Sequence, residues 1–231
     1  GDTFVFGSEI KALLAHPSVP AASDSEGLYE YLTFQMVLNE GTMFQNIKKL
    51  RPAHFMVVKD GKIIEDKEYW AIHYNIDETK SEEKFADELL VLLESSLSIQ
   101  TRSDVPVGAY LSGGLDSSIV ADLAAKNYFG TFKTFTGGFH EGAEYDETRY
   151  ARLLSDKINS EHHEIFPGPQ DFLDNFEKLV YHMDEPAAGP GLFPQYMVSK
   201  KASEHVKVVL GGQGGDEIYG GYARYAVAYL E

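Results

Sequence analysis

Two glycine-rich strings hold the residues best suited to chemistry. The first is Leu111-Ser112-Gly113-Gly114-Leu115-Asp116-Ser117-Ser118. Its glycines let the backbone approach an anion closely and expose N–H groups, and Ser112, Ser117 and Ser118 add hydroxyl donors. A strand is expected over 105–111 and a helix over 117–126, so the string opens a helix. A helix N-terminus favours each anionic group by about 0.3–1 kcal/mol, and by up to about 2 when partly buried. Asp116 suits a phosphate site only if a divalent cation lies between the charges, and a carboxylate beside phosphates is a natural Mg²⁺ ligand. A lone Gly-Gly would read as a tight turn, but the full string between strand and helix is more specific. It lacks the Gly-Lys-Ser/Thr of a P-loop and the third glycine of a dinucleotide fingerprint.

The second string is Leu210-Gly211-Gly212-Gln213-Gly214-Gly215-Asp216-Glu217-Ile218-Tyr219-Gly220-Gly221-Tyr222. It follows a strand expected over 206–210. Glycines around two acids suit a loop that folds over a nucleotide and a metal ion. A merely flexible loop fits that placement less well.

The elements that must position these strings can be read from periodicity. Residues 1–74 read as β-rich with short helical pieces, one of them over 8–15. A strand over 54–58, Asp60-Gly61 and a return strand from 62 form a hairpin. The polar stretch 75–80 is a linker candidate. Phe85, Leu89, Leu92, Leu93 and Leu97 then share one helical face, with Ser81 as N-cap. Beyond it strands (105–111, 132–138, 163–166, 206–210) alternate with helices (117–126, 147–159, 172–182, 199–204). Such alternation predicts a parallel sheet covered on both faces. In an open sheet of this kind ligands bind outside the carboxyl ends of the strands, which is where both strings lie.

Composition removes several classes. A net charge of −16 over 231 residues, with no basic run longer than Lys48-Lys49 or Lys200-Lys201, disfavours nucleic acid and anionic membrane as partners. No segment approaches the roughly 20 apolar residues of a membrane span. Cysteine is absent, so thiolate metal sites and cysteine nucleophiles are excluded within this chain, and a reducing cytoplasm is the expected setting.

Together the two strings resemble the N-type ATP pyrophosphatases, and within that group asparagine synthetase. Asp104-Val105-Pro106-Val107-Gly108 and Asp184-Glu185-Pro186 match the same family. Gly7-Ser8-Glu9-Ile10-Lys11-Ala12-Leu13 looks like the late helix of that family's glutaminase domain, and Ile47-Lys48-Lys49-Leu50-Arg51-Pro52-Ala53-His54 and Tyr69-Trp70 like its last strands.

The resemblance implies an α/β fold, adenine nucleotide alpha-hydrolase-like, preceded by part of an antiparallel Ntn-type glutaminase sheet. It implies an incomplete glutaminase segment over 1–74 and a C-terminally incomplete synthetase domain over 75–231, hence a piece of a longer protein. The family's N-terminal cysteine nucleophile is not in this chain, so glutamine hydrolysis is not expected of it.

The implied reaction is ATP-dependent amide formation through an acyl-adenylate. Aspartate or another carboxylate is the acceptor, as in lactam synthetases and related amidotransferases. Ammonia derived from glutamine is the nucleophile, and room is left for a homodimer. Ser112, Gly113, Gly114, Ser117 and Ser118 would hold the departing pyrophosphate, and Asp116 and Asp216 would bind Mg²⁺. Leu111, Gly137, Gly211 and Gly212 would hold the adenosine and α-phosphate. Gln213 and Glu217 would lie at the reacting centre.

Two departures stand out. Gly137 replaces a larger residue usual beside the adenine. Gln213 replaces an acid; a neutral amide cannot take the proton that ammonia loses, which leaves a different acceptor, a base elsewhere such as Glu217, or water as the carrier of the proton. Other candidates rank lower. His162 and His163 are adjacent on a strand and point to opposite faces, so they do not share an ion. Glu141, Glu144, Asp146 and Glu147 read as a solvated loop and an acidic first helical turn. Arg149 fits a helix surface as well as a phosphate. Tyr222, Arg224 and Tyr225 stand near the second string.

Overall fold

A computed structural model describes residues 3–140, 147–187 and 189–230. The chain divides into two compact units, Gly1–Asp77 with Asn175–Pro190, and Glu78–Asp174 with Gly191–Glu231. Glu141, Glu144 and Asp146 lie outside the described residues.

The first unit contains α1 (Ile10–Leu14), α2 (Ser25–Phe34), β1 (His54–Lys59) and β2 (Lys62–Glu68). β1 and β2 pair antiparallel, with Lys59 opposite Lys62. Asp60 and Gly61 close the hairpin with φ of 51° and 72°, the doubly left-handed turn that Asp-Gly favours. The expectation of a β-rich segment is corrected here, since this one pair of strands accompanies two helices. Asp24 starts α2 by accepting from Gly27 N at 2.9 Å. This is a capping signal that a reading for strands passes over.

The second unit runs through α3 (Glu82–Gln100), β3 (Val107–Tyr110), α4 (Leu115–Asn127), β4 (Lys133–Gly137), α5 (Thr148–Ile158) and β5 (Glu161–Ile165). It continues with the start of α6 (Pro169–Met183), then α7 (Leu192–Ser203), β6 (Val208–Leu210), α8 (Gly215–Tyr219) and α9 (Ala223–Leu230). Ser81 caps α3 as expected, accepting from Lys84 N. The four strands lie in the order β5-β4-β3-β6 and every neighbouring pair is parallel.

Strand periodicity of two divides the core. Val107, Ala109 and Leu111 join Leu97, Ala121, Leu123, Ala124 and Ala151 from α3, α4 and α5. Phe135 and Tyr110 face Val198, Ala202 and Val206 on the side of α7. The sheet is therefore covered on both faces. α7 begins at Leu192, about two turns before the expected start, because Pro194 falls in its first turn, where a missing N–H costs nothing. Among the described residues no helix is long and apolar enough to cross a membrane.

Candidate nucleotide site

β3 ends at Tyr110, and the chain turns through Ser112-Gly113-Gly114 into α4. Gly113 makes that turn at φ +91°, and a Cβ there would lie 2.6 Å from the Glu147 carbonyl oxygen. Both facts require glycine. Ser117 is buried, and its hydroxyl donates to the Gly114 carbonyl at 3.1 Å. It also meets Ser112 Oγ at 2.9 Å and accepts from Ser112 N at 3.2 Å. Ser117 thus braces the loop from within, while Ser112, Gly114 and Asp116 face the cavity beyond it.

The second string leaves β6, which is paired in register with β3, Leu210 opposite Ala109. The two strings are consequently neighbours. Gly212 lies so close to the first turn of α4 that a Cβ would stand 2.6 Å from Ser117 N, and a Cβ on Gly215 would collide with the Asp116 carboxylate. Bare backbone at these positions brings Asp216, the next residue, to the same cavity as Asp116.

That cavity has a volume of about 550 Å³ and is lined by Ser112, Gly114, Asp116 and Ser117 of the first string and by Gly212, Gln213, Asp216 and Glu217 of the second. Leu111, Gly113, Ser118, Gly137 and Gly211 are not among its lining residues. Leu111 is fully buried, its N–H donating to the Phe135 carbonyl at 2.9 Å and its carbonyl accepting from Thr136 Oγ1. Gly137 is exposed at the end of β4, and a Cβ there would lie 2.7 Å from Val198 Cγ2. The volume that a larger residue would fill is occupied by valine from α7.

Three lining residues escaped sequence reasoning or were held only loosely. Tyr110 is the last residue of β3, and its hydroxyl meets Ser199 Oγ at 2.7 Å. Gln195 reaches the cavity from α7; nothing local to its sequence marks it. Tyr222 donates to Glu217 Oε1 at 2.8 Å. That hydrogen bond holds the Glu217 carboxyl below the usual carboxylate range and pushes the Tyr222 phenol up. A carboxylate made more acidic is a weaker base, so Glu217 serves better as an anchor than as a proton acceptor. Arg224 lies over the Tyr222 ring at 4.3 Å, and Arg149 over its own neighbour Tyr150 at 4.5 Å.

Among the described residues no lysine or arginine lines the cavity, whereas Asp116, Asp216 and Glu217 do. A polyphosphate cannot enter such a site without a divalent cation to offset four or more negative charges. The donors are all oxygen or backbone nitrogen, the set that hard cations such as Mg²⁺ select. The residues present therefore fit Mg²⁺.

Comparison with known proteins agrees with this arrangement. The model of the asparagine synthase family matches residues 88–231, and that of a glutamine amidotransferase domain matches residues 1–70. A Bacillus subtilis protein named asparagine synthetase (glutamine-hydrolyzing) 1 is 33% identical over 97% of this chain and 35% of its own length. A Methanocaldococcus jannaschii protein named putative asparagine synthetase (glutamine-hydrolyzing) 2 is 33% identical over 99% of this chain and 45% of its own. A further Bacillus subtilis relative, asparagine synthetase (glutamine-hydrolyzing) 3, is 31% identical over the whole chain and 40% of its own length. The chain thus spans between about a third and a half of the relatives it matches. With both glycine strings, their strand–loop–helix setting and the family match over residues 88–231 in agreement, this chain belongs to the asparagine synthase family.

Proposed function

We propose that this chain carries the ATP-handling half of an amide-forming carbon–nitrogen ligase, with aspartate as the acceptor and asparagine as the product. The observation that carries the reading is the convergence of both glycine strings on one acidic cavity, which among the described residues has no basic side chain. A carboxylate oxygen of the acceptor attacks the α-phosphorus of ATP, and pyrophosphate leaves. Ammonia then attacks the acyl carbon, loses a proton, and AMP departs. The N-terminus of α4 stabilises the leaving pyrophosphate, and the pair of loops fixes the attack geometry. Bound Mg²⁺, held by Asp116 and Asp216, supplies charge neutralisation at the phosphates.

The test is pyrophosphate exchange into ATP with a panel of carboxylic acids, together with calorimetry of Mg·ATP binding. Asp116→Asn is expected to weaken Mg²⁺-dependent binding, and Glu82→Gln, on the exposed first turn of α3, to leave it intact. Equal affinity in the two variants would overturn the site assignment.

Gln213 favours a second reading, a different carboxylate acceptor. Its amide lines the cavity and folds against Gly211, where a proton acceptor would be useful. General-base catalysis is typically worth about 10²–10⁴-fold. On this reading Gln213→Glu raises ammonia-dependent asparagine formation. If the unaltered protein already makes asparagine as fast as the variant, aspartate stands and Gln213 is a tolerated substitution.

A further inference from the structure

A second group of ligating side chains lies away from the cavity. Glu161 opens β5, His163 follows on the same strand face, and His205 comes from the connection between α7 and β6. One ligand atom from each falls within 4.8 Å of the others. His163 Nε2 is 2.9 Å from Glu161 Oε1, and the His163 and His205 rings stack with centroids 3.8 Å apart. His162 points to the opposite face and bonds Thr134 Oγ1 through Nδ1 at 2.8 Å. The argument that adjacent histidines cannot share an ion therefore holds; the partner of His163 is 42 positions along the chain.

His205 Nε2 is buried with no hydrogen-bond partner, and the Glu204 carboxylate stands off at 3.9 Å. A buried imidazole nitrogen without a partner is costly and calls for a proton donor or a metal ion.

We propose that Glu161, His163 and His205 form a binding site for a borderline divalent transition-metal ion of the zinc type. Two imidazole nitrogens and one carboxylate oxygen, with a fourth position for water, are a donor set that zinc accepts. Ligands of a tetrahedral ion with bonds of about 2.0 Å stand roughly 3.3 Å apart, and the three atoms lie within 4.8 Å of one another.

Two adjustments complete the site. Imidazole lone pairs lie in the ring plane, so one stacked ring turns about χ2 to aim its nitrogen at the ion. Lys133, which holds Glu161 at 3.2 Å, swings away. The ion would clip β5 to the segment that leads through β6 into the second glycine string.

The site is independent of the proposed activity and is tested without it. The tag-free chain is titrated with Zn²⁺ by calorimetry and with Co²⁺ by visible absorption. One equivalent should bind, with the intense d–d bands of a four-coordinate site. Saturating Zn²⁺ at a hundred times its Kd should raise the unfolding midpoint by roughly 5–10 °C.

His163→Gln and His205→Gln, each checked for a native circular dichroism spectrum, should weaken binding at least about tenfold, the size of loss that even an outer partner of a metal ligand produces. Lys133→Ala removes the competing cation and should tighten binding. The double variant Asp116→Asn/Asp216→Asn should bind zinc as the unaltered chain does. Absence of binding overturns the proposal, as does binding unchanged in both histidine variants or binding lost only in the aspartate double variant.

Discussion

Among the described residues, both apolar clusters lie in the second unit, whereas the first buries only Ile47 and Leu179 as apolar side chains. Polar groups fill the difference. Asp184 accepts from Ile10 N at 2.6 Å and Lys11 N at 3.3 Å and pairs with Lys11 Nζ at 2.8 Å, so a carboxylate 174 positions away caps the start of α1. Glu185 accepts from Met43 N at 2.6 Å and holds Lys49 at 2.8 Å. Buried Thr42 bonds the Ile47 carbonyl at 2.8 Å. Deleting an apolar side chain in the second unit leaves a cavity. Deleting a carboxylate in the first leaves amides and an ammonium without their partner. One unit should therefore respond to volume, and the other to charge and pH.

The largest effect should come from Phe135, fully buried between β4 and α7. Phe135→Ala is expected to cost about 3–5 kcal/mol, read as a fall in the urea midpoint. A loss below about 1 kcal/mol would mean that the α7 face of the sheet is not packed at the density usual of protein interiors.

Asp184→Asn should cost on the order of 1–3 kcal/mol, with a dependence on pH that Phe135→Ala lacks. Burial pushes the Asp184 carboxyl up, but the Lys11 side chain and the Ile10 and Lys11 amides outweigh it and hold the group below its ordinary range. A folded-state pKa below the unfolded value gives stability that is present in full above the unfolded pKa and is lost as pH falls through the folded one. The stability difference between native and variant should be flat above about pH 5 and shrink below about pH 4, while the cost of Phe135→Ala stays constant. Chemical denaturation across that range, for both variants, decides between charge and packing as the bond that closes each unit.

The smallest effect tests the place where the packed core meets the nucleotide site. Gly137→Ala drives a methyl against Val198 and should cost about 1 kcal/mol, the low end of overpacking. Adding Val198→Ala should recover part of that loss. If the two substitutions are additive, Val198 is not what excludes a larger residue at 137.

The features that were legible in advance share a physical basis. The parallel sheet follows from alternating elements, and its register places both glycine strings at the carboxyl edge, as the strand–loop–helix order requires. The family resemblance, carried by contiguous residues, is borne out by the match over residues 88–231. What was missed depended on distance. α2 was overlooked because a reading for strands ignored the Asp24 cap. Gln195 was invisible because its role comes from α7 crossing the end of the sheet.

Sequence alone determined what backbone dihedrals and short periods control: the Asp60-Gly61 turn, the Ser81 cap, the alternation of strands and helices, and the two loops with their acids. Tertiary structure alone set Gly212 against the first turn of α4, which brings the acids of both strings to one cavity. It set Val198 where Gly137 leaves room, placed Asp184 at the head of α1, and stacked His205 on His163. Local conformation is governed by sterics and hydrogen bonds within a few residues, which a sequence window contains. Contacts across 42 to 174 positions are settled by how whole faces pack, and no window contains them.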